Sequence, residues 1–133
     1  MISPNVLHVS TPLSWRGGEQ QLAYTVLELA KLGTTQTVLC RKDSKMAKWC
    51  EANQIRYVAR KRSHSQDLGF AATLARMVKQ NKVNIVHAHD SHAHGSAVLA
   101  SVFFGMKQHI ILHRRVDYAI GGSWFSRYKY NFR

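Results

Sequence analysis

The stretch VLHVSTPLSWRGGEQQLAYTVLELAKLGTTQTVLC, Val6–Cys40, decides the fold. Its short apolar run Val6–Val9 predicts a strand, which is followed by a loop with a glycine pair. From Glu19 the apolar residues recur with a helical period, and Gly33 is placed to end the helix. The β-branched run Thr35–Cys40 predicts a second strand. This order of strand, helix and strand is typical of a parallel βαβ unit.

The rest of the chain continues the alternation of short apolar runs and helical patterns. It predicts three further strands, at Ile55–Ala59, Asn84–Ala88 and His109–His113. It also predicts three further helices: one from Ser44 to about Asn53, one that begins at a cap at Ser65, and one from about Ser91 to Phe104. Five strands that alternate with four helices predict an α/β fold, a Rossmann-like parallel sheet with helices on both faces and strand order 3-2-1-4-5. Ligands of such sheets bind at the carboxyl ends of the strands, where the order reverses, here between strands 1 and 4.

The loop Ser10–Gly18, after strand 1, carries the glycine pair Gly17 and Gly18. Glycine can adopt positive φ and lets a ligand approach the backbone, and the N-terminus of the following helix favours phosphate. We therefore predict that Gly17 and Gly18 bind a phosphate group of a substrate. The pair matches neither GxGxxG nor a P-loop, and the alternative is an ordinary strand-to-helix turn.

The loop after strand 4 contains four histidines in eight residues, HAHDSHAH. Strand alternation puts His87 and His89 on one side and places His89 and Asp90 at the carboxyl end. A histidine there can act as a base or bind sugar hydroxyls, and a neighbouring carboxylate can orient it, so we predict His89 and Asp90 as catalytic residues. One alternative is a metal site where His89 and His92, or His92 and His94, converge. Another is a polar strand end followed by a helix cap.

The chain is strongly basic, with 19 Lys and Arg against 7 Asp and Glu and a formal net charge of +12. Basic residues cluster after apolar runs at 41–42, 60–62 and 114–115. Arg114 and Arg115 are predicted on the rim that carries the two loops, where they can bind phosphate, although solvated arginines are the alternative. The charge fits nucleic acid, an anionic membrane, phosphorylated substrates, or an acidic part missing from the chain.

The cysteines and apolar runs bear on location. Cys40 and Cys50 lack metal-ligand spacing and are expected to be free thiols in a reducing compartment. No apolar run approaches the roughly twenty residues of a membrane span. The segment Met1–Pro4 does not begin a signal peptide. We expect a cytoplasmic protein.

Taken together, these segments resemble the N-terminal domain of the GT-B glycosyltransferases of family GT4. The resemblance covers nearly the whole chain and rests on segments that occur in the family's order: Val6–Val9, Gly17–Gln20, Leu29–Gly33, Asn84–Asp90 and His113–Asp117.

The resemblance implies two Rossmann-like domains that face each other across a cleft, with the acceptor on the N-terminal domain and a nucleotide-sugar on the C-terminal one. The family's glycine loop, which approaches the donor phosphates, corresponds to Gly17 and Gly18, and its strand-4 histidine, near the transferred sugar, corresponds to His89. The implied reaction is hexosyl transfer to a glycan or lipid-linked acceptor, usually with retention, as in cell-envelope polysaccharide biosynthesis. No metal and no cofactor are implied beyond the nucleotide-sugar substrate.

Residues 1–133 contain no counterpart of the family's donor-binding domain, so we expect a single, truncated, acceptor-side domain that is inactive alone. The absence of a further strand would expose an edge at strand 5 and favour self-association. The basic charge suggests peripheral contact with the inner membrane face. The alternative function is a basic Rossmann-like module that binds nucleic acid or another anionic ligand through the aromatic, basic tail 124–133. Packing of those aromatics against the missing domain is the favoured reading, and nucleic acid is not favoured.

Overall fold

The computed structural model describes residues 4–62, 67–106 and 109–112. Within them, strands and helices alternate as β1 (Asn5–Ser10), α1 (Gly17–Lys31), β2 (Thr35–Arg41), α2 (Lys45–Ala52), β3 (Tyr57–Arg60), α3 (Leu68–Gln80), β4 (Ile85–Ala88), α4 (Ser91–Phe104) and β5 (His109–Leu112). The strands form one parallel sheet in the order β3-β2-β1-β4-β5. The predicted α/β class and strand order are confirmed.

Alternate residues of each strand point to opposite faces of the sheet. Apolar side chains therefore lie on both faces, and helices cover both. On one face, Val38 of β2 packs with Leu22 and Val26 of α1 and with residues of α2. On the other face, Leu7 and Val86 of the central strands pack with residues of α3 and α4. Burial of such Val and Leu side chains stabilises the fold by about 1.5–3 kcal/mol each.

Three helices begin at side chains that cap their first turn. The Ser44 hydroxyl accepts a hydrogen bond from the Ala47 amide at the start of α2. At α3 the carboxylate of Asp67 accepts from the Phe70 amide, so the expected cap at Ser65, which lies outside the described residues, is wrong. Asp90 caps α4, and Gly105 ends it in the left-handed conformation.

The starts of α1 and β3 differ by two residues from those expected from the sequence. The helix α1 begins at Gly17 rather than near Glu19, so both glycines of the pair lie in its first turn and neither has positive φ. Strand β3 begins at Tyr57 rather than Ile55, because the Ile55 amide donates to the Cys50 carbonyl and closes the end of α2.

Both cysteines are free and buried. Burial raises the pKa of the Cys40 thiol to about 11 and that of Cys50 to about 12, so both stay protonated at neutral pH. Among the described helices none is long and apolar enough to span a membrane. Arg114, Arg115 and the aromatic tail lie outside the described residues.

Candidate functional site

Three histidines gather where β1 meets β4, on the face of the sheet covered by α1. His8 and His87 are register partners on the adjacent strands, and His8 is also paired with Val38, which packs against α1. The His89 ring lies on the same side, with its centroid 3.8 Å from that of His87 and 5.2 Å from that of His8. The predicted shared side of His87 and His89 is confirmed. We call these three residues the histidine cluster.

A line of hydrogen bonds runs from α1 into the histidine cluster. The Gln36 side-chain amide donates to the Val26 carbonyl over 2.7 Å, and its oxygen lies 2.9 Å from Nε2 of His8. Because this oxygen can only accept, Nε2 of His8 must carry the proton. The other nitrogen of His8, Nδ1, lies 3.1 Å from Nε2 of His89.

The protonation of His8 fixes that of His89. Burial lowers the pKa of His8 to about 4, against a weaker opposing effect of its hydrogen bond with Gln36. At neutral pH His8 is therefore uncharged, and its Nδ1 is an acceptor. The Nε2 atom of His89 then donates to it, so Nε2 of His89 carries a proton. His89 lies at the carboxyl end of β4 and is buried, with only 2% of the residue exposed. Its hydrogen bond with His8, which Gln36 connects to α1, therefore sets the orientation of the ring and the position of this proton.

The carboxylate of Asp90 fastens the end of β1 to the start of α4. Its oxygens accept hydrogen bonds from the Thr11 amide over 3.1 Å, from the Thr11 hydroxyl over 2.6 Å, and from the Ala93 amide over 2.9 Å. The His89 ring is hydrogen-bonded to His8. The predicted roles of Asp90, in orienting His89 and in catalysis, stay predictions.

The N-terminus of α1 lies after the loop that follows β1, at the same carboxyl edge of the sheet. The carboxylate of Glu19, which is buried, accepts a hydrogen bond from the Arg16 amide over 2.9 Å and so caps the helix from within its first turn. First-turn amides such as those of Gly17 and Gly18 have no carbonyl partner within a helix. A side chain added at Gly17 would meet no atom within 4 Å, so this helix end is open to a ligand.

The histidine cluster is also the group of residues that best suits a metal ion, since one nitrogen of each ring lies within 4.8 Å of the others. In the observed arrangement, however, both nitrogens of His8 are hydrogen-bonded, to Gln36 and His89, and a metal would have to displace one of them. Among the described residues, no group of three or more potential metal ligands includes His92 or His94. His92 is exposed on α4 and His94 is buried in it.

Sequence reasoning missed His8 and Gln36. A signal was present, because a histidine between Leu7 and Val9 is a polar residue in the middle of an apolar strand that the topology places at the centre of the sheet. Such a residue requires a buried partner.

The geometry is that of a Rossmann-like domain whose strand order reverses at a site lined by polar side chains. The chain belongs to Glycosyltransferase Family 4, whose family model matches residues 15–133. A comparison with curated proteins finds no match.

Three solved structures superpose on the chain with TM-scores of 0.64 to 0.67. A Rickettsia africae glycosyltransferase superposes with a TM-score of 0.65 at 19% identity, over 83% of this chain and 29% of its own. Anabaena HepE in complex with UDP gives 0.64 at 14% identity, over 82% and 29%, and Acinetobacter baumannii MurG gives 0.67 at 13%, over 96% and 39%. The chain therefore spans 29–39% of the length of these proteins and has the fold of the N-terminal domain of GT-B glycosyltransferases.

Proposed function

We propose that the chain is the acceptor-side domain of a glycosyltransferase that moves a hexosyl group from a nucleotide-sugar to a glycan or lipid-linked acceptor. The observation that carries the proposal is the hydrogen-bonded line from Gln36 through His8 to His89, which holds one buried imidazole in one orientation at the switch point of the sheet. Membership of the family supports the same reading.

The predicted site residues that the structure describes each have a role in this proposal. The His89 ring hydrogen-bonds to the transferred sugar or to the attacking hydroxyl, at an orientation that costs no reorganisation during the reaction. The Gly17 and Gly18 amides face the donor phosphates, where the positive end of the helix dipole favours negative charge. Asp90 keeps the β1 loop and α4 in register around the site.

A nucleotide-sugar donor is supported by the relatives. The HepE protein has been solved with UDP and with UDP and glucose. Because this chain spans about a third of that protein's length, we propose that a second domain binds the nucleotide and that residues 1–133 alone do not transfer sugar. No step in the proposed reaction needs a metal or a further cofactor.

The partners and location of the protein follow from its charge. The net charge of +12 suits an acceptor or membrane that carries negative charge, so we propose a cytoplasmic enzyme with peripheral contact to anionic lipid. Self-association through the β5 edge is a further part of the proposal, because an unpaired strand offers free backbone donors and acceptors.

The test is a transfer assay on the whole protein encoded by the gene that contains this chain. Release of nucleoside diphosphate is measured with a panel of nucleotide-sugars and oligosaccharide or lipid-linked acceptors. We expect one pair to react, and His89→Gln to lower kcat by about a hundredfold or more. The matched control is His92→Gln, at an exposed position on α4, with near wild-type rates.

Two results would contradict the proposal. Equal rates for His89→Gln and wild type would remove His89 from the site. Transfer by residues 1–133 alone would show that no second domain is needed.

A further inference from the structure

Strands β2 and β3 end in basic residues that lie side by side. Arg41 and Arg60 are register partners on the two strands, and the Lys42 amide donates to the Arg60 carbonyl over 2.9 Å. Lys61 and Arg62 follow β3 directly. These residues lie at the carboxyl edge of the sheet, as the histidine cluster does, but on the other side of β1.

A cavity of about 440 Å³ opens between these strand ends, and we call it the basic cavity. It is lined by four cationic side chains and one carboxylate, together with one apolar residue: Arg41, Lys42, Lys61, Arg62, Asp43 and Leu13. Its volume is within the range of small-molecule sites. A second cavity of about 600 Å³ adjoins it and shares Lys42 and Lys61. The space is therefore large enough for a ligand, and its lining is suited to an anion.

Arg62 distinguishes the basic cavity from an ordinary solvated patch of lysines. The residue is only 8% exposed, and its guanidinium carbon lies 6.0 Å from the centroid of the Phe70 ring. Its Nε and Nη2 atoms are buried and have no hydrogen-bond partner among the described residues. A buried donor without a partner is unfavourable, so such a group calls for an explanation.

The two unpartnered nitrogens are the pair that binds oxyanions. Nε–H and Nη2–H lie on one edge of the planar guanidinium and point in parallel, which matches two oxygens of a phosphate or a carboxylate. The neighbouring carboxylates have other tasks, since the Asp90 oxygens hold Thr11 and Ala93 and Asp67 caps α3.

Charge decides between the two kinds of oxyanion. Four cationic groups face a single carboxylate in the basic cavity, so a ligand with one negative charge would leave most of the excess unneutralised. The one salt bridge seen among the described residues joins Lys31 and Glu28 on α1, and it involves none of the cations here. A phosphoryl or pyrophosphoryl group carries the additional negative charge.

We propose that the basic cavity is a subsite for a phosphoryl or pyrophosphoryl group, held in a bidentate contact by Nε and Nη2 of Arg62 and flanked by Arg41, Lys42 and Lys61. The assignment of this group to a phosphorylated acceptor rests on the proposed function, whereas anion binding itself does not. The cavity lies beside the switch point rather than within it, so an acceptor anchored there by its phosphate can extend its sugar end toward His89.

The experiment measures binding of inorganic pyrophosphate to the full chain by titration calorimetry at low ionic strength. Arg62→Gln is expected to weaken binding at least about tenfold, because the bidentate contact is lost. Lys61→Gln, at an exposed position that cannot disturb the core, is expected to weaken it about threefold. The control Arg76→Gln makes the same charge change on the exposed side of α3 and is expected to weaken binding less than about twofold.

Two outcomes overturn the proposal: no binding of pyrophosphate by the folded wild-type chain, or an equal loss in Arg76→Gln and Arg62→Gln. Circular dichroism checks that each variant is folded. If Arg62→Gln does not fold, the weaker binding expected of Lys61→Gln still tests the proposal.

A second arm identifies the source of the phosphate. Vesicles of phosphatidylcholine with phosphatidic acid that compete with pyrophosphate for wild type, and bind Arg62→Gln less well, indicate a lipid headgroup. Competition by soluble sugar phosphates but not by vesicles indicates a soluble phosphorylated acceptor. Both support the subsite. Because the assay needs no transfer, its failure leaves the proposed function standing, and failure of the transfer assay leaves the subsite standing.

Discussion

At the carboxyl edge of the sheet, the polar groups near β1 and β4 differ from those near β2 and β3 in how fully they are hydrogen-bonded. Between β1 and β4, Gln36, His8 and Asp90 are hydrogen-bonded within the protein, and His8 is kept uncharged. Beyond β2 and β3, Arg62 is also buried, but two of its guanidinium nitrogens have no partner among the described residues. The first arrangement fixes a geometry, and the second leaves hydrogen-bonding capacity for something else.

The histidine cluster and the region of Arg62 are therefore suited to different tasks. A satisfied network stabilises one conformation, so replacing any member leaves its partners unsatisfied and is costly. An unsatisfied buried cation contributes little to the fold, so its removal should cost little stability while it removes an anion site.

The largest expected effect is the pH dependence that His8 gives to folding. Its pKa is lowered from 6.5 to about 4, so between these pH values the unfolded chain binds a proton that the folded chain does not. Its contribution is fully present above pH 6.5 and is lost as the pH falls toward 4. At about 1.4 kcal/mol per pH unit, the loss is about 3 kcal/mol.

Urea unfolding at pH 6.5 and pH 4 measures this loss for wild type and His8→Gln. The difference between the two proteins is expected to change by about 3 kcal/mol over that interval. The control His92→Gln should follow wild type. Parallel curves for wild type and His8→Gln would show that His8 titrates normally in the folded chain.

The next effect concerns the carboxylate that joins β1 to α4. Asp90→Ala removes a helix cap and two hydrogen bonds with Thr11, so we expect a loss of about 2–3 kcal/mol in the free energy of unfolding. Ser44→Ala, which removes one capping bond at α2, is the control and should cost about 1 kcal/mol. Equal losses in denaturant titrations would mean that the Thr11 bonds add nothing.

The third prediction concerns Arg62, which follows β3. Arg62→Met replaces a buried, partly unsatisfied cation by an apolar side chain of similar length, so the free energy of unfolding should stay within about 1 kcal/mol of wild type. Thermal or urea unfolding measures it. A loss as large as that of Asp90→Ala would show that Arg62 is part of the stabilising network, and the contrast between the two sides would fail.

The smallest effect is expected at the start of α1. Gly17 has helical backbone and open space around the position of a Cβ, so Gly17→Ala should stabilise the chain by about 0.5 kcal/mol. Gly33, with φ of 76°, is the control, because Gly33→Ala should destabilise the chain. A stability gain in Gly17→Ala with a loss of transfer rate in the whole protein would support ligand approach at this helix end, and an unchanged rate would count against it.

The sequence was sufficient for the fold because its signals are local. The βαβ unit Val6–Cys40, the cap at Asp90 and the αL glycine Gly105 each depend on neighbours in the chain. The shared side of His87 and His89 follows from strand alternation alone. The start of α1 was missed although Glu19 stands three residues after Arg16, which is the spacing of a capping box.

The site was harder to predict from the sequence than the fold, because its contacts join distant parts of the chain. The bond between His8 and His89 spans 81 residues and depends on the pairing of β1 with β4, and the bond between His8 and Gln36 depends on the register of β2. The burial of Arg62 depends on the position of Phe70 in α3. Composition and spacing carry no information on such packing.

The claim that α1 and β2 fix the position of a ring proton of His89 through His8 is tested most directly by long-range ¹H–¹⁵N correlation spectra of the histidine rings. At neutral pH we predict that His8 is uncharged with its proton on Nε2, that Nε2 of His89 carries a proton, and that the His8 signals do not move until the pH approaches 4. A proton on Nδ1 of His8, or titration of His8 near its ordinary pKa of 6.5, would contradict the account.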